Sequence, residues 1–139
     1  MGFIDLIGGK GRGPGGTREE RITITKQLDN SGSKIAIYIP QGILNNSLLT
    51  TKHNVRVQFD HGREIMHISK ASGRRSRKIQ KTGSIGTGLI QIRLGKGVPY
   101  VEAGKKLTIS SKRISIVKSM SKIKITLKGL DYKICREDL

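Results

Sequence analysis

Apolar and polar residues alternate along much of this chain, and that period of two restricts the fold more than any other feature of the sequence. Ile22 and Ile24 alternate with threonines, and the same spacing recurs at Ile35, Ile37 and Ile39. Successive side chains of a β-strand point to opposite faces of a sheet, so this spacing indicates strands with one buried face. The sequence therefore predicts an all-β protein of mainly antiparallel short strands.

Turn-forming residues separate the apolar runs and set the length of each strand. Further strands are predicted at residues 55–59, 65–68, 90–94, 98–101, 107–109, 114–116, 123–127 and 132–134. Pro40 ends the second strand, and the isoleucine and leucines of residues 41–49 have helical spacing, which predicts one short helix. Pro99 marks its own strand as an edge. Short strands at near-regular spacing are typical of a meander, a small barrel or a sandwich.

Composition divides the chain into four segments. Residues 8–16 hold six glycines and one proline, a composition that cannot pack, so residues 1–16 are expected to form a flexible basic tail. An N-terminal β unit over residues 17–70 precedes a basic loop over residues 71–85, and a C-terminal β meander follows over residues 86–139. Whether the two β halves form one domain or two stays open.

The charge of the chain indicates its partner. Lys and Arg number 27 against 10 Asp and Glu, which gives a net charge of +17 and a pI near 10.5. The positive charges of such an excess would repel one another in a compact protein. Contacts of Lys and Arg with a phosphate backbone are favourable because they release the counterions condensed on it. Nucleic acid is therefore the expected partner. The alternative is a solvated basic surface that serves solubility or contacts an acidic protein.

The basic residues in and around the predicted strands and the basic loop are the candidate phosphate contacts. Six cations lie between positions 70 and 81 without an acidic residue among them, and a run of this density is ordered by phosphate or remains solvated. Lysines on exposed strands also prevent edge-to-edge aggregation, which is the alternative interpretation for the second half. The predicted nucleic-acid-binding residues are Arg12, Arg18, Arg21, Lys26, Lys34, Lys70, Arg74, Arg75, Arg77, Lys78, Lys81 and Arg93.

The order of elements over residues 22–70 carries a family resemblance. A strand, the turn at residues 28–32, a strand ending Tyr38-Ile39-Pro40, a Leu-rich helix and a second hairpin follow one another. This segment resembles the AbrB-like swapped-hairpin DNA-binding proteins, in which half-barrels of two copies interleave. The resemblance implies a swapped-hairpin-like fold, a homodimer or higher homo-oligomer, and duplex binding through Arg18, Arg21, Lys26 and Lys34. The chain departs from it in the basic segment that follows, and no internal repeat is evident.

Catalytic, metal and cofactor chemistry finds no support in the sequence. The ten acidic residues fall mostly in turns and tails, and no paired carboxylates are visible. His53, His61 and His67 lack the spacing of a zinc site, and Cys135 has no evident base to activate it. We therefore predict a protein that is not an enzyme, with no catalytic residues, no bound metal and no cofactor.

Cys135 is also the single cysteine, which is typical of a reducing compartment. No apolar run approaches the roughly 20 residues of a membrane span, and the first seven residues are too short for a signal peptide. These features predict a soluble cytoplasmic protein without a membrane partner, nucleoid-associated if the source is bacterial.

Three functions remain, and DNA is favoured over RNA among them. The first is a duplex-DNA-binding regulator of transcription or architectural protein. The second is a single-stranded DNA or RNA binder on an OB-like barrel, which normally stacks bases on aromatic rings. Such rings are scarce here: the chain holds two Phe, three Tyr and no Trp, so phosphate-dominated duplex binding is the better expectation. The third is a structural component of a viral or ribonucleoprotein assembly, which would assemble without a preferred DNA site.

Overall fold

Antiparallel strands make up most of the computed structural model, which describes residues 20–29, 32–83 and 86–136, the side chain of Asp29 excepted. The predicted tail at residues 1–16 lies outside them. The described residues form β1 (Ile22–Asp29), β2 (Gly32–Ile39), α1 (Gln41–Asn46), β3 (Asn54–Asp60), β4 (Ile65–Lys70), β5 (Arg77–Lys78), β6 (Gln80–Thr82), β7 (Thr87–Arg93), β8 (Pro99–Tyr100), β9 (Lys106–Ile109), β10 (Ile114–Val117), β11 (Lys122–Thr126) and β12 (Lys133–Ile134). The all-β prediction is confirmed.

Two five-stranded sheets and a two-stranded pair contain these strands. The first sheet has the order β6-β7-β2-β1-β9, the second has the order β10-β11-β4-β3-β5, and β8 pairs with β12. Every pairing among the described strands is antiparallel. Each five-stranded sheet ends in two different edge strands, so the described residues form no closed barrel.

The strand registers place the apolar residues of each sheet in rows on one face. In the first sheet Leu107, Ile24, Ile37 and Ile90 lie opposite one another across four strands. In the second sheet the rows are Ile114, Ile125, Met66, Phe59 and Ile116, Ile123, Ile68, Val57. The buried members of both sheets belong to one contiguous hydrophobic cluster. The two inner faces therefore share one core, which the alternation of the sequence predicts.

Both sheets combine strands from the two halves of the chain. β2 pairs with β7, β1 pairs with β9, and β4 pairs with β11, so the predicted segments 17–70 and 86–139 share each sheet. The predicted basic loop, residues 71–85, contains the short strands β5 and β6, which extend the second and the first sheet respectively. Residues 77–78 and 80–82 of this segment are thus held by backbone pairing with the body of the protein.

The single predicted helix is present in the described part of the chain, but it is shorter than residues 41–49. α1 ends at Asn46 because Leu48 adopts a left-handed conformation with φ of 62°. The backbone N–H of Leu49 then donates to the carbonyl of Leu44 at 2.9 Å and that of Leu48 donates to Asn45 at 3.1 Å, which is a Schellman ending. Leu48 consequently leaves the core and is 54% exposed, whereas Leu49 is buried.

Candidate nucleic-acid interface

The second sheet turns a polar and basic face away from the core. Alternation along β3 buries Val55 and leaves Asn54, Arg56 and Gln58 on the outer face. On β11 the same alternation buries Ile123 and Ile125 and leaves the lysines between and before them on the outer face. Antiparallel sheets commonly have one face on the core and one in solvent, and here the solvent face carries cations.

The registers bring those cations into neighbouring rows. Lys122, Ser69 and Arg56 lie opposite one another on β11, β4 and β3, and Lys124, His67 and Gln58 form the next row. Lys78 of β5 lies opposite Asn54, which continues the same outer face by one strand. We call the set Arg56, Lys78, Lys122 and Lys124 the basic face. Strands are about 4.8 Å apart, so Lys122 and Arg56 lie about 10 Å from each other across the sheet.

His67 reports the electrostatics at the middle of the basic face. Partial burial is the main cause that lowers its pKa below the ordinary value of 6.5, and the positive charges of Lys122 and Lys124 lower it further. Asp60 acts in the opposite direction and Arg63 in the same direction as the lysines. The imidazole therefore lies in a positive local potential, which disfavours a further cation and would favour an anion.

An acidic residue that acts on this face is held by a turn. Asp60 ends β3, and its Oδ1 accepts hydrogen bonds from the backbone N–H groups of Gly62 and Arg63 at 3.0 and 3.1 Å. The carboxylate is therefore directed to the β3–β4 turn, at the end of the sheet away from Lys122 and Arg56.

The predicted cations of residues 70–78 lie at one end of the second sheet. Lys70 ends β4, and its register partner Val55 also lies opposite Arg77 of β5. Arg74 and Arg75 are exposed in the connection, which a turn closes through Ser76: its Oγ donates to the carbonyl of Gly73 at 2.7 Å. Lys78 is the member of the basic face at this edge, Lys70 and Arg77 share the face of Val55, and Arg74 and Arg75 lie in the connection between β4 and β5.

The remaining predicted residues are distributed over other surfaces. Lys34 and Arg93 lie opposite each other on the outer face of the first sheet, beside a chain of hydrogen bonds in which Gln91 donates to Gln27 and Gln27 donates to Tyr38. Lys81 is exposed on β6, Arg21 is exposed immediately before β1, and Lys26 lines a groove beside β8. Arg12 and Arg18 lie outside the described residues. The predicted set therefore does not form one surface.

Arg56, Lys122 and Lys124 are the members of the basic face that lie outside the predicted set of nucleic-acid-binding residues. The signal for them was the period of two itself, because Val55 and Val57 flank Arg56 and an isoleucine follows each of the two lysines. Strand alternation placed these side chains opposite the core, but it did not predict that β11 would pair with β4. The charge density of the sequence pointed instead to the basic loop, which contributes only Lys78, at the edge of this surface.

Other kinds of site have no support among the residues that the structure describes. No group of three or more His, Cys, Asp or Glu side chains within them is arranged to hold a metal ion. No helix in residues 20–29, 32–83 and 86–136 has the length and apolar character needed to cross a membrane. Comparison with protein-family models, curated proteins and solved structures finds no match to this chain. The resemblance to AbrB-like proteins stays a prediction.

Proposed function

We propose that this protein binds nucleic acid by contacting the phosphate backbone of a duplex with the basic face of its second sheet. The observation that carries the proposal is the alignment of Arg56, Lys122 and Lys124 in adjacent rows around His67, whose pKa the two lysines help to lower. Cations concentrated on one face of a domain are the electrostatic footprint of a nucleic-acid-binding protein.

The composition of the face favours a duplex over a single strand. Beside the basic face, the outer side of this sheet carries neutral residues, and none of its described residues is a phenylalanine or tyrosine; the neutral residues are Asn54, Gln58, Ile65, Ser69, Ser115, Val117 and Thr126. Single-strand binders normally stack bases on aromatic rings, so a face without them relies on phosphate contacts. Such contacts position a protein on the backbone without reading the sequence. Duplex DNA is the expected polymer, with an architectural or regulatory role.

The first experiment measures affinity for several unrelated DNA duplexes before and after the basic face is neutralised. The variant is Arg56→Gln, Lys122→Gln and Lys124→Gln together, whose side chains are exposed or half-buried and lie outside the core. Because phosphate contacts carry no sequence information, the affinity should fall by a similar factor on every duplex. The melting temperature should change little, since surface substitutions away from packed features have small effects.

A matched control removes the same charge from another surface. Lys105, Lys106 and Lys112 are exposed in and beside the edge strand β9, and changing all three to Gln also lowers the net charge by three. The control should lose much less affinity than the basic-face variant. Equal decreases in affinity for the two variants would contradict a localised interface and would leave only a general attraction between a basic protein and a polyanion.

A further inference from the structure

A groove of about 700 Å³ lies between the margin of the first sheet and the two-stranded pair of β8 and β12. Its floor contains the buried side chains of Leu94 and Cys135. Backbone hydrogen bonds fix this wall of the groove: Gly97 N–H donates to the carbonyl of Cys135, and Cys135 N–H donates to that of Val98. The volume lies within the range of pockets that enclose small ligands.

Two of the three tyrosines of the chain line this groove, Tyr100 and Tyr132. The Tyr132 ring meets Phe59 edge-on with centroids 6.2 Å apart, and its hydroxyl donates to Glu64. Burial, followed by that hydrogen bond, raises the pKa of Tyr132 to about 12, so the hydroxyl keeps its proton. The ring is held in place before any ligand arrives, which reduces the entropy cost of binding.

Cations surround the two rings. The groove lining includes Lys26, Lys133 and Arg136 and contains no acidic residue among those described. Lys26 lies on the same face of β1 as Ile22 and Ile24, at the point where the core ends, and its Nζ is 5.5 Å from the centroid of the Tyr100 ring. Lys133 pairs with Glu102 outside the lining, whereas the Arg136 side chain is exposed.

We propose that this groove binds one unpaired nucleotide. The base stacks on the Tyr100 ring, beside the wall formed by Tyr132. It takes the place over the Tyr100 ring that the Lys26 ammonium occupies in the free protein. The flexible Lys26 side chain then moves to the phosphate, which Arg136 also contacts. Aromatic rings beside cations are the combination that single-stranded nucleic acids require. The basic face lacks such rings, so the two surfaces would bind different parts of one polymer.

The experiment compares a blunt DNA duplex with the same duplex carrying a short single-stranded tail. The variants are Tyr100→Leu, which removes the ring and retains an apolar side chain, and Lys26→Gln; Lys124→Gln on the basic face is the control. Tyr100→Leu should weaken binding of the tailed duplex by roughly 5- to 150-fold, the effect typical of one stacked base, and leave the blunt duplex unchanged. Lys26→Gln should flatten the salt dependence for the tailed duplex by about 0.7 in log affinity against log salt.

Lys124→Gln should weaken binding of both duplexes by the same factor, because its contacts are to paired backbone. A melting temperature for each variant shows whether it is folded. If the Tyr100→Leu protein does not fold, Lys26→Gln still tests the groove. Decreases in affinity that are equal for blunt and tailed duplexes, or no decrease in either groove variant, would overturn the proposal.

Adenosine monophosphate distinguishes a free nucleotide from one within a strand. Saturable shifts of the NMR signals of Ile134 and Cys135, abolished by Lys26→Gln, would place a free nucleotide in the groove. Binding of the tailed duplex without a response to the mononucleotide would assign the groove to a strand. The mononucleotide measurement needs no duplex binding, so it remains valid if the proposed function fails. If adenosine monophosphate shifts no signals and the groove variants bind the tailed duplex as well as the parent does, the groove site is overturned.

Discussion

An imidazole lies on the outer face of the second sheet, between Gln58 of β3 and Lys124 of β11. Its burial and the neighbouring lysines lower the pKa of His67. A phosphate bound to those lysines would remove part of the positive potential and offer an anion to the imidazole. The protonated form would then be favoured, and His67 becomes an internal sensor of whether the basic face is occupied.

We predict that duplex DNA raises the pKa of His67 relative to the free protein. The bound protein then holds more protons than the free protein at pH values between the lowered free value and the higher bound value. Binding in this window therefore takes up a proton, and affinity should strengthen as the pH falls through it. NMR titration of the His67 imidazole with and without duplex measures both values, and His67→Gln should remove this component of the pH dependence. An identical pKa in both states would contradict phosphate binding at this site.

At the scale of the elements, one glycine fixes the distance between α1 and the first sheet. A Cβ placed on Gly88 of β7 would lie 2.8 Å from Leu44 Cδ1 and 2.9 Å from Ile79 Cγ2, closer than real Cβ atoms approach. Both neighbours are buried, so neither can move without disturbing the core. The helix, the residue between β5 and β6, and the strand meet at this point because position 88 carries no side chain.

We predict that Gly88→Ala lowers the free energy of unfolding by about 1–3 kcal/mol, the usual effect of overpacking a core. Denaturant unfolding of the two proteins measures the difference. Gly62→Ala is the matched control. The atom nearest to a Cβ at position 62 would be Asp60 Oδ1, at 3.5 Å, which is an ordinary van der Waals distance. A Gly88→Ala protein as stable as the parent would show that the helix can shift away from the sheet.

The sequence predicted most of the elements but few of their partners. The period of two located the longer strands, because alternation follows directly from which face is buried. Pairing between β2 and β7, or between β4 and β11, depends on contacts between distant segments that no local pattern encodes. The short strands β5 and β6 were also missed. Their cations and small residues are typical of loops, and backbone pairing with β3 and β7 overrides that preference.

The same limitation affected the candidate site. Arg74, Arg75 and Arg77 were predicted because like charges cluster along the chain there, yet the basic face depends on residues that only the sheet brings together. Arg56 and Lys122 are far apart in sequence and lie two strands apart in the fold. A charge pattern that exists only after strand pairing cannot be found by reading along the chain.

At the scale of the whole molecule, the hairpins of residues 22–70 are completed within one chain. β7 and β9 flank the β1–β2 hairpin, and β11 and β5 flank the β3–β4 hairpin. These hairpins need no second copy to cover their apolar faces, because one shared core covers both inner faces. Homo-oligomerisation stays a prediction that rests on the AbrB-like resemblance.

The net charge of +17 makes general attraction to any polyanion the main competitor of a built interface. Salt dependence separates the two, because removing one phosphate interaction from a duplex complex flattens the plot of log affinity against log salt by about 0.9. The deciding measurement is that slope for the parent protein and for the Arg56→Gln, Lys122→Gln, Lys124→Gln variant on one duplex. We predict a slope shallower by about 2.7 in the variant, whereas an unchanged slope would contradict a basic face that holds the phosphate backbone.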